Sequence, residues 1–158
     1  MTYGKIAPMN FSRITDNLFI GDTPSLADYD QLRDLGVRLV INMRLEKRPA
    51  PDPHRLPLKF LWLPTVDNPL FLIPTCFLMR GVRAALETLK TGGKVYVHCA
   101  KGRHRGVAMM GASILIAQGY SPDQAMQLIK SQRPIADPDI FYIRNRILRF
   151  AKKYQPPR

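Results

Sequence analysis

The sequence predicts an α/β fold, a single domain with a central, mostly parallel twisted sheet flanked by helices. Three observations carry that reading. Short apolar, β-branched runs ("RLVINM", "KFLWL", "KVYVHC") alternate with segments of helical period, and several of those segments have start or stop signals at their ends. The 158 residues, 46% of them hydrophobic, are enough to bury one core. No internal repeat is evident.

Taken in order, "FSRIT" and "NLFIGD" read as short strands joined at Thr15, Asp16 and Asn17. Ser25 is placed to cap a helix over Leu26, Tyr29, Leu32 and Leu35, and Gly36 to end it. "RLVINM" has the composition of a buried strand. From Arg44 to Pro57 four prolines exclude regular structure and predict a surface loop, after which "KFLWL" resumes the sheet. Pro74 and Thr75 open a helix with apolar positions at Phe77, Val82, Ala85 and Leu89, closed by Gly92 and Gly93; Cys76 within it reads as a core residue. "KVYVHC" is the next strand, and Val107 to Ala117 is apolar enough to be a central, buried helix. Two further helices follow, one with Ser121 as cap and Pro122 at its first position, the other repeating the device with Asp137 and Pro138.

Twenty-four Lys and Arg against twelve Asp and Glu give a formal charge of +12, which favours anionic partners: phosphorylated molecules, nucleic acid or a negative membrane surface. The start "MTYGKIAPMN" lacks the apolar stretch of a signal peptide, and no run approaches the roughly 18 residues of a membrane span, so a soluble cytoplasmic protein is expected. Two cysteines, Cys76 and Cys99, are too few for a disulfide framework and suit a reducing compartment.

The chemistry concentrates between the strand ending at Cys99 and the helix that follows. A chain that turns through Ala100, Lys101, Gly102, Arg103 and His104 into a helix aims successive backbone N–H groups into the turn, at the positive end of the helix dipole. Gly102 permits a backbone angle that other residues resist, and Arg105 offers a planar fork for two phosphate oxygens. The turn is therefore a candidate cradle for phosphate or another oxyanion. The same field favours a thiolate, because cysteines at helix N-termini beside bases fall from about 8.5 to roughly 3.5 to 7.5.

The segment "HCAKGRHR", His98 to Arg105, matches His-Cys-x-x-Gly-x-x-Arg. It resembles the signature of the cysteine-dependent protein tyrosine phosphatase superfamily, and the short layout looks like its dual-specificity branch. Four fixed residues at fixed spacing arise by chance in only on the order of one in 10⁴ chains of this length. The likeness extends to "ITDNLFIGD" and to the three C-terminal helices, covering Phe11 to Tyr154 within a single catalytic domain, 1–158.

The resemblance implies hydrolysis of phosphate monoesters through a phosphocysteine. Cys99 would be the nucleophile, Arg105 and the loop 100–104 with Gly106 the phosphate-binding positions, and His98 a support for the cysteine loop. In the family an Asp some thirty residues before the nucleophile protonates the leaving oxygen; Asp67 in "LPTVDNP", thirty-two before Cys99, holds that place. Asp52, forty-seven before it, is the competitor. No metal or cofactor is implied. One departure stands out: the family usually has Ser or Thr directly after the motif Arg, and this chain has Gly106, with Ser113 two helical turns too far on to replace it. The bases Lys101, Arg103 and His104 resemble those of members that act on inositol phosphates and phosphoinositides. Phosphoproteins carrying pTyr, pSer or pThr are the other substrate class. The +12 charge also suits RNA 5′-phosphate ends, although the interleaved basic and aromatic pattern of single-strand RNA binding is not evident. Outside these enzymes stand a catalytically weak phosphate-binding module, which Gly106 makes conceivable, and a sulfur-transfer protein of the rhodanese type, for which Asp67 is superfluous.

Overall fold

Period-two alternation sorts the strand side chains onto two faces of one sheet, and everything else follows from which face is covered by what. The computed structural model describes residues 8–49, 51–52, 58–66, 70, 73–99 and 105–156, with Arg105 described by its backbone alone. Five strands are present: β1 (Phe11–Arg13), β2 (Leu18–Gly21), β3 (Val37–Arg44), β4 (Lys59–Thr65) and β5 (Lys94–His98). Their spatial order is β1-β2-β5-β3-β4, antiparallel between β1 and β2 and parallel elsewhere. β5 therefore lies at the centre.

In β3 and β5, Leu39, Ile41, Met43, Val95 and Val97 turn toward the larger core. That core is made with helices α2 (Thr75–Lys90), α3 (Arg105–Ala117), α4 (Pro122–Gln132) and α5 (Phe141–Lys153). Val37, Val40 and Tyr96 turn the other way and pack with Phe19, Tyr29 and Leu32 under the short helix α1 (Asp28–Asp34). α3 is the hub, in contact with α2, α4 and α5, and its Val107, Ala108, Met110, Ala112, Ile114 and Leu115 are wholly buried. Each such Val, Met, Ile or Leu contributes about 1.5–3 kcal/mol by leaving water, which explains a helix with no polar face. No helix among the described residues is long and apolar enough to cross a membrane.

The α/β class, the strand pairs and the central helix match the sequence reading, and Gly36, at φ +91°, ends α1 as expected. α4 begins with a full capping box, Ser121 accepting from the Gln124 backbone and the Gln124 side chain accepting from Ser121 N–H. Four details differ. Ser25 does not cap α1: its N–H and hydroxyl donate to Asp28 Oδ2 at 2.7 and 2.8 Å, and the helix starts at Asp28. Asp137 does not cap α5 either. It closes a 3₁₀ turn (Pro134–Ala136) and accepts from Asp139 N–H at 3.2 Å, so that α5 starts only at Phe141. On α2 the buried stripe runs through Leu78, Gly81, Val82 and Ala85, with Phe77 and Leu89 on its flank; this rotation leaves Cys76 exposed, not in the core. In the Pro-rich loop Arg44 still belongs to β3, and the Asp52 side chain is fully buried.

Candidate active site

The site is built at the edge of the sheet where the parallel strands finish. β5 ends at His98, α3 begins at Arg105, and the signature residues occupy the connection. Cys99 sits at its floor, 7% exposed, against the larger core. Its carbonyl accepts the Thr23 hydroxyl at 3.1 Å, and Thr23 Oγ1 in turn accepts from Arg44 Nη1 at 3.1 Å. The connection after β2 and the last residue of β3 thus brace the cysteine from the side.

His98 follows Tyr96 onto the α1 face, ring centroids 6.1 Å apart, and is 2% exposed. Burial pushes its pKa down to about 3; an interaction with the Cys99 backbone acts in the opposite sense, while the charges of Arg44 and Lys47 add to the fall. The imidazole is consequently neutral near pH 7, which suits a positioning group and not a proton carrier. Asn42, 1% exposed, shapes the neighbouring turn: its Oδ1 accepts from Arg44 N–H at 2.8 Å and its Nδ2 donates to Lys47 C=O at 3.0 Å.

A second buried group lies beyond β2. Arg133, 3% exposed, donates through Nη1 to Asn10 Oδ1 at 3.1 Å and Ser12 Oγ at 3.0 Å, and its Nη2 lies 3.6 Å from Asp22 Oδ1. Burial lowers its pKa, and the negative charge of Asp22 is the largest effect opposing it. Tyr96, its own pKa raised chiefly by burial, donates its hydroxyl to Asp22 C=O at 2.6 Å. Gly21 makes the approach possible, because a Cβ there would lie 2.5 Å from the Tyr96 oxygen and 2.5 Å from Phe11 Cβ. Thr23, Tyr96 and Arg133 escaped the sequence reading. The one clue was the Gly21-Asp22 pair at the end of β2.

Of the residues singled out from the sequence, the structure brings His98, Cys99 and Gly106 to this edge. Asp67, Ala100, Lys101, Gly102, Arg103 and His104 lie outside the described residues, as does the Arg105 side chain. Asp52 is held by Arg33 of α1 and accepts from Leu58 N–H at 2.9 Å. A Cβ added at Gly106 would meet Ile73 Cδ1 at 3.5 Å, Thr65 Oγ1 at 3.8 Å and Met43 Cε at 3.9 Å, ordinary contact distances. Ser113 spends its hydroxyl on Met109 C=O at 2.8 Å within α3.

A family model described as the dual specificity phosphatase catalytic domain matches residues 18–151. The chain belongs to the dual specificity phosphatase family. This phosphatase is 32% identical over 146 residues to dual specificity phosphatase 28 of Mus musculus, covering 89% of this chain and 83% of that one. It is 34% identical over 131 residues to the phosphatidylglycerophosphatase and protein-tyrosine phosphatase 1 of Homo sapiens, covering 78% and 64%. Among solved structures, human DUSP28 superposes with a TM-score of 0.78 at 26% identity, covering 92% of this chain and 95% of that one. Members of the family are cysteine-dependent phosphoric monoester hydrolases, and this phosphatase is one of them.

Proposed function

We propose that Cys99 is the nucleophile of a two-step phosphate monoester hydrolysis. The carrying observation is its position: a cysteine at the C-terminal end of the central strand, next to the N-terminus of a 13-residue buried helix, braced through its carbonyl. Sulfur attacks phosphorus in line, the S–P bond forming as the ester P–O bond breaks, while Asp67 gives its proton to the leaving oxygen. Arg105 and the amides of residues 100–104 with Gly106 hold the equatorial oxygens. Water then forms a new O–P bond, the S–P bond breaks, and Asp67 takes the proton back. Arg133, whose charge and that of Cys99 attract one another, favours the ionised sulfur. Asp67 is preferred to Asp52 because Asp52 is committed to Arg33. With Gly106 offering no hydroxyl to the departing sulfur, the second step is the slow one.

The substrate is a phosphorylated protein or an inositol phosphate or phosphoinositide. The second class gains support from PTPMT1 in complex with PI(5)P, a structure that superposes with a TM-score of 0.71 at 26% identity and covers 90% of this chain. The test is a panel of aryl phosphate, phosphopeptides, inositol phosphates and phosphoinositides, with Cys99→Ser and Asp67→Ala as controls. Both variants should lose activity, by a factor of about 10² or more for the acid. Full activity in Asp67→Ala would move the acid elsewhere, and activity in Cys99→Ser would remove the mechanism.

A further inference from the structure

Six large apolar side chains are conspicuously exposed among the described residues, and five of them share one end of the molecule. Leu26, 56% exposed, follows β2; Leu45, 52% exposed, follows β3; Leu70, 84% exposed, follows β4. Ile135, 59% exposed, lies in the α4–α5 connection, and Phe141, 73% exposed, is the first residue of α5. That connection is tied to the same end, since Arg133 at its start bonds Asn10 and Ser12, opposite the finish of β2. Only Tyr120, 37% exposed, lies at the far end, between α3 and α4. Isolated exposed leucines need no explanation, but five exposed apolar side chains at the end of the molecule that holds Cys99 do.

Charge accompanies these side chains. Lys47 and Arg48, both exposed, sit beside Leu45, and neither has an acidic partner among the described residues. The Arg48 guanidinium lies over the Trp62 ring, 5.0 Å from its centroid, and stays available to an anion. The two cations and Leu26 line the same cleft of about 290 Å³. The sequence adds Lys101 and Arg103 to the connection after Cys99.

We propose that this end of the phosphatase seats on the surface of an anionic bilayer, so that its substrate is a phosphate monoester on a lipid headgroup. The inference rests on the Cys99 reading above and narrows it. The occupant has to cover apolar groups after β2 and after β4 at once. These strands are three spacings apart, about 14 Å, with the nucleophile between them. It also has to cover Ile135 and Phe141, which belong to the opposite face of the sheet from Leu26 and α1. A phosphopeptide crosses such a site along one line and leaves most of these side chains in water. A second copy of the chain would occlude Cys99. A lipid surface takes all five side chains into its interfacial layer, pairs Lys47 and Arg48 with anionic headgroups and presents phosphate to the end that holds Cys99.

The test is flotation with vesicles of phosphatidylcholine alone or with added phosphatidylserine and phosphoinositide, using Cys99→Ser so that binding is read without turnover. Binding should require anionic lipid. It should fall about tenfold or more in a Leu45→Ser/Ile135→Ser/Phe141→Ser variant and about fivefold for each of Lys47→Glu and Arg48→Glu. With active enzyme, phosphoinositide in vesicles should be hydrolysed faster than its short-chain soluble form, and the triple variant should lose that advantage while keeping wild-type activity on aryl phosphate. Absence of vesicle binding, binding indifferent to the triple substitution, or a phosphopeptide preferred over vesicle lipid would each overturn the proposal. Loss of activity with vesicle binding intact would instead count against the Cys99 mechanism.

Discussion

Where the parallel strands enter the sheet, at Leu18, Val37 and Lys94, the connections are short and polar: Arg13 pairs with Asp16, Gly36 and Gly92 take positive φ, and Tyr120 is the single large apolar side chain exposed there among the described residues. Where the same strands leave, the pattern reverses. Asn42, His98 and Arg133 are buried at that end, and Leu26, Leu45, Leu70, Ile135 and Phe141 are in solvent. Hydrophobic burial explains the first end and cannot explain the second, where each buried polar group and each exposed apolar one costs stability. The difference locates the work of the molecule without reference to any motif.

The sharpest way to break the comparison is to remove a buried cation from one end and an exposed one from the other. Arg133→Ala should destabilise the fold by about 3–5 kcal/mol, because Asp22, Asn10 and Ser12 lose a buried partner. Arg13→Ala, whose pair with Asp16 is largely exposed, should leave the urea midpoint unchanged within error. Equal effects in urea melts would mean that the two ends are not built differently.

The next largest effect is a pH dependence. Unfolded, His98 takes up a proton near pH 6.5; folded, it does so only near pH 3. The unfolded state therefore binds more protons between these values. Stability is intact above pH 6.5 and declines as pH falls toward 3, by up to about 1.4 kcal/mol per unit. His98→Gln should flatten that part of the stability profile; an unchanged slope would show that the buried imidazole is not its source.

How much of this was legible in the sequence depends on the range of the interaction. β3, β5 and α3 could be read because a buried strand or helix writes its environment into consecutive residues, and Ser121 could be read as a cap because its partner Gln124 is three residues away. Asp137-Pro138 carries the same signal, yet its carboxylate serves a local turn, since Asp137, at φ 21°, closes the 3₁₀ turn before α5 can begin. Cys76 lies off the buried stripe of α2, two residues before Leu78, and this angular offset is enough to turn a side chain from core to solvent. His98 and Cys99 could be found because the signature is contiguous. Thr23 could not, lying 76 residues from the carbonyl it holds, nor could Arg133, which is 121 residues from Ser12.

Two smaller predictions refine the contrast. Gly106→Ser should fold normally, because an added Cβ meets its neighbours at ordinary contact distances, and should raise steady-state turnover several-fold, up to about tenfold, by supplying the hydroxyl that helps sulfur depart. Unchanged turnover would show that departure is not limiting. Ser121→Ala should cost about 1 kcal/mol in α4, and Asp137→Ala less, since Asp137 caps no helix. A larger loss at Asp137 would contradict the assignment of the α5 start.

A covalent bond between Cys99 sulfur and phosphorus is the step on which the proposed hydrolysis turns. Acid quenching of the wild-type phosphatase within the first turnover, followed by mass spectrometry of the Cys99 peptide, should reveal one added phosphoryl group, abundant in the wild type, depleted in Gly106→Ser and absent in Cys99→Ser. Phosphate release at the full rate with no phosphoryl group ever present on that peptide would contradict it.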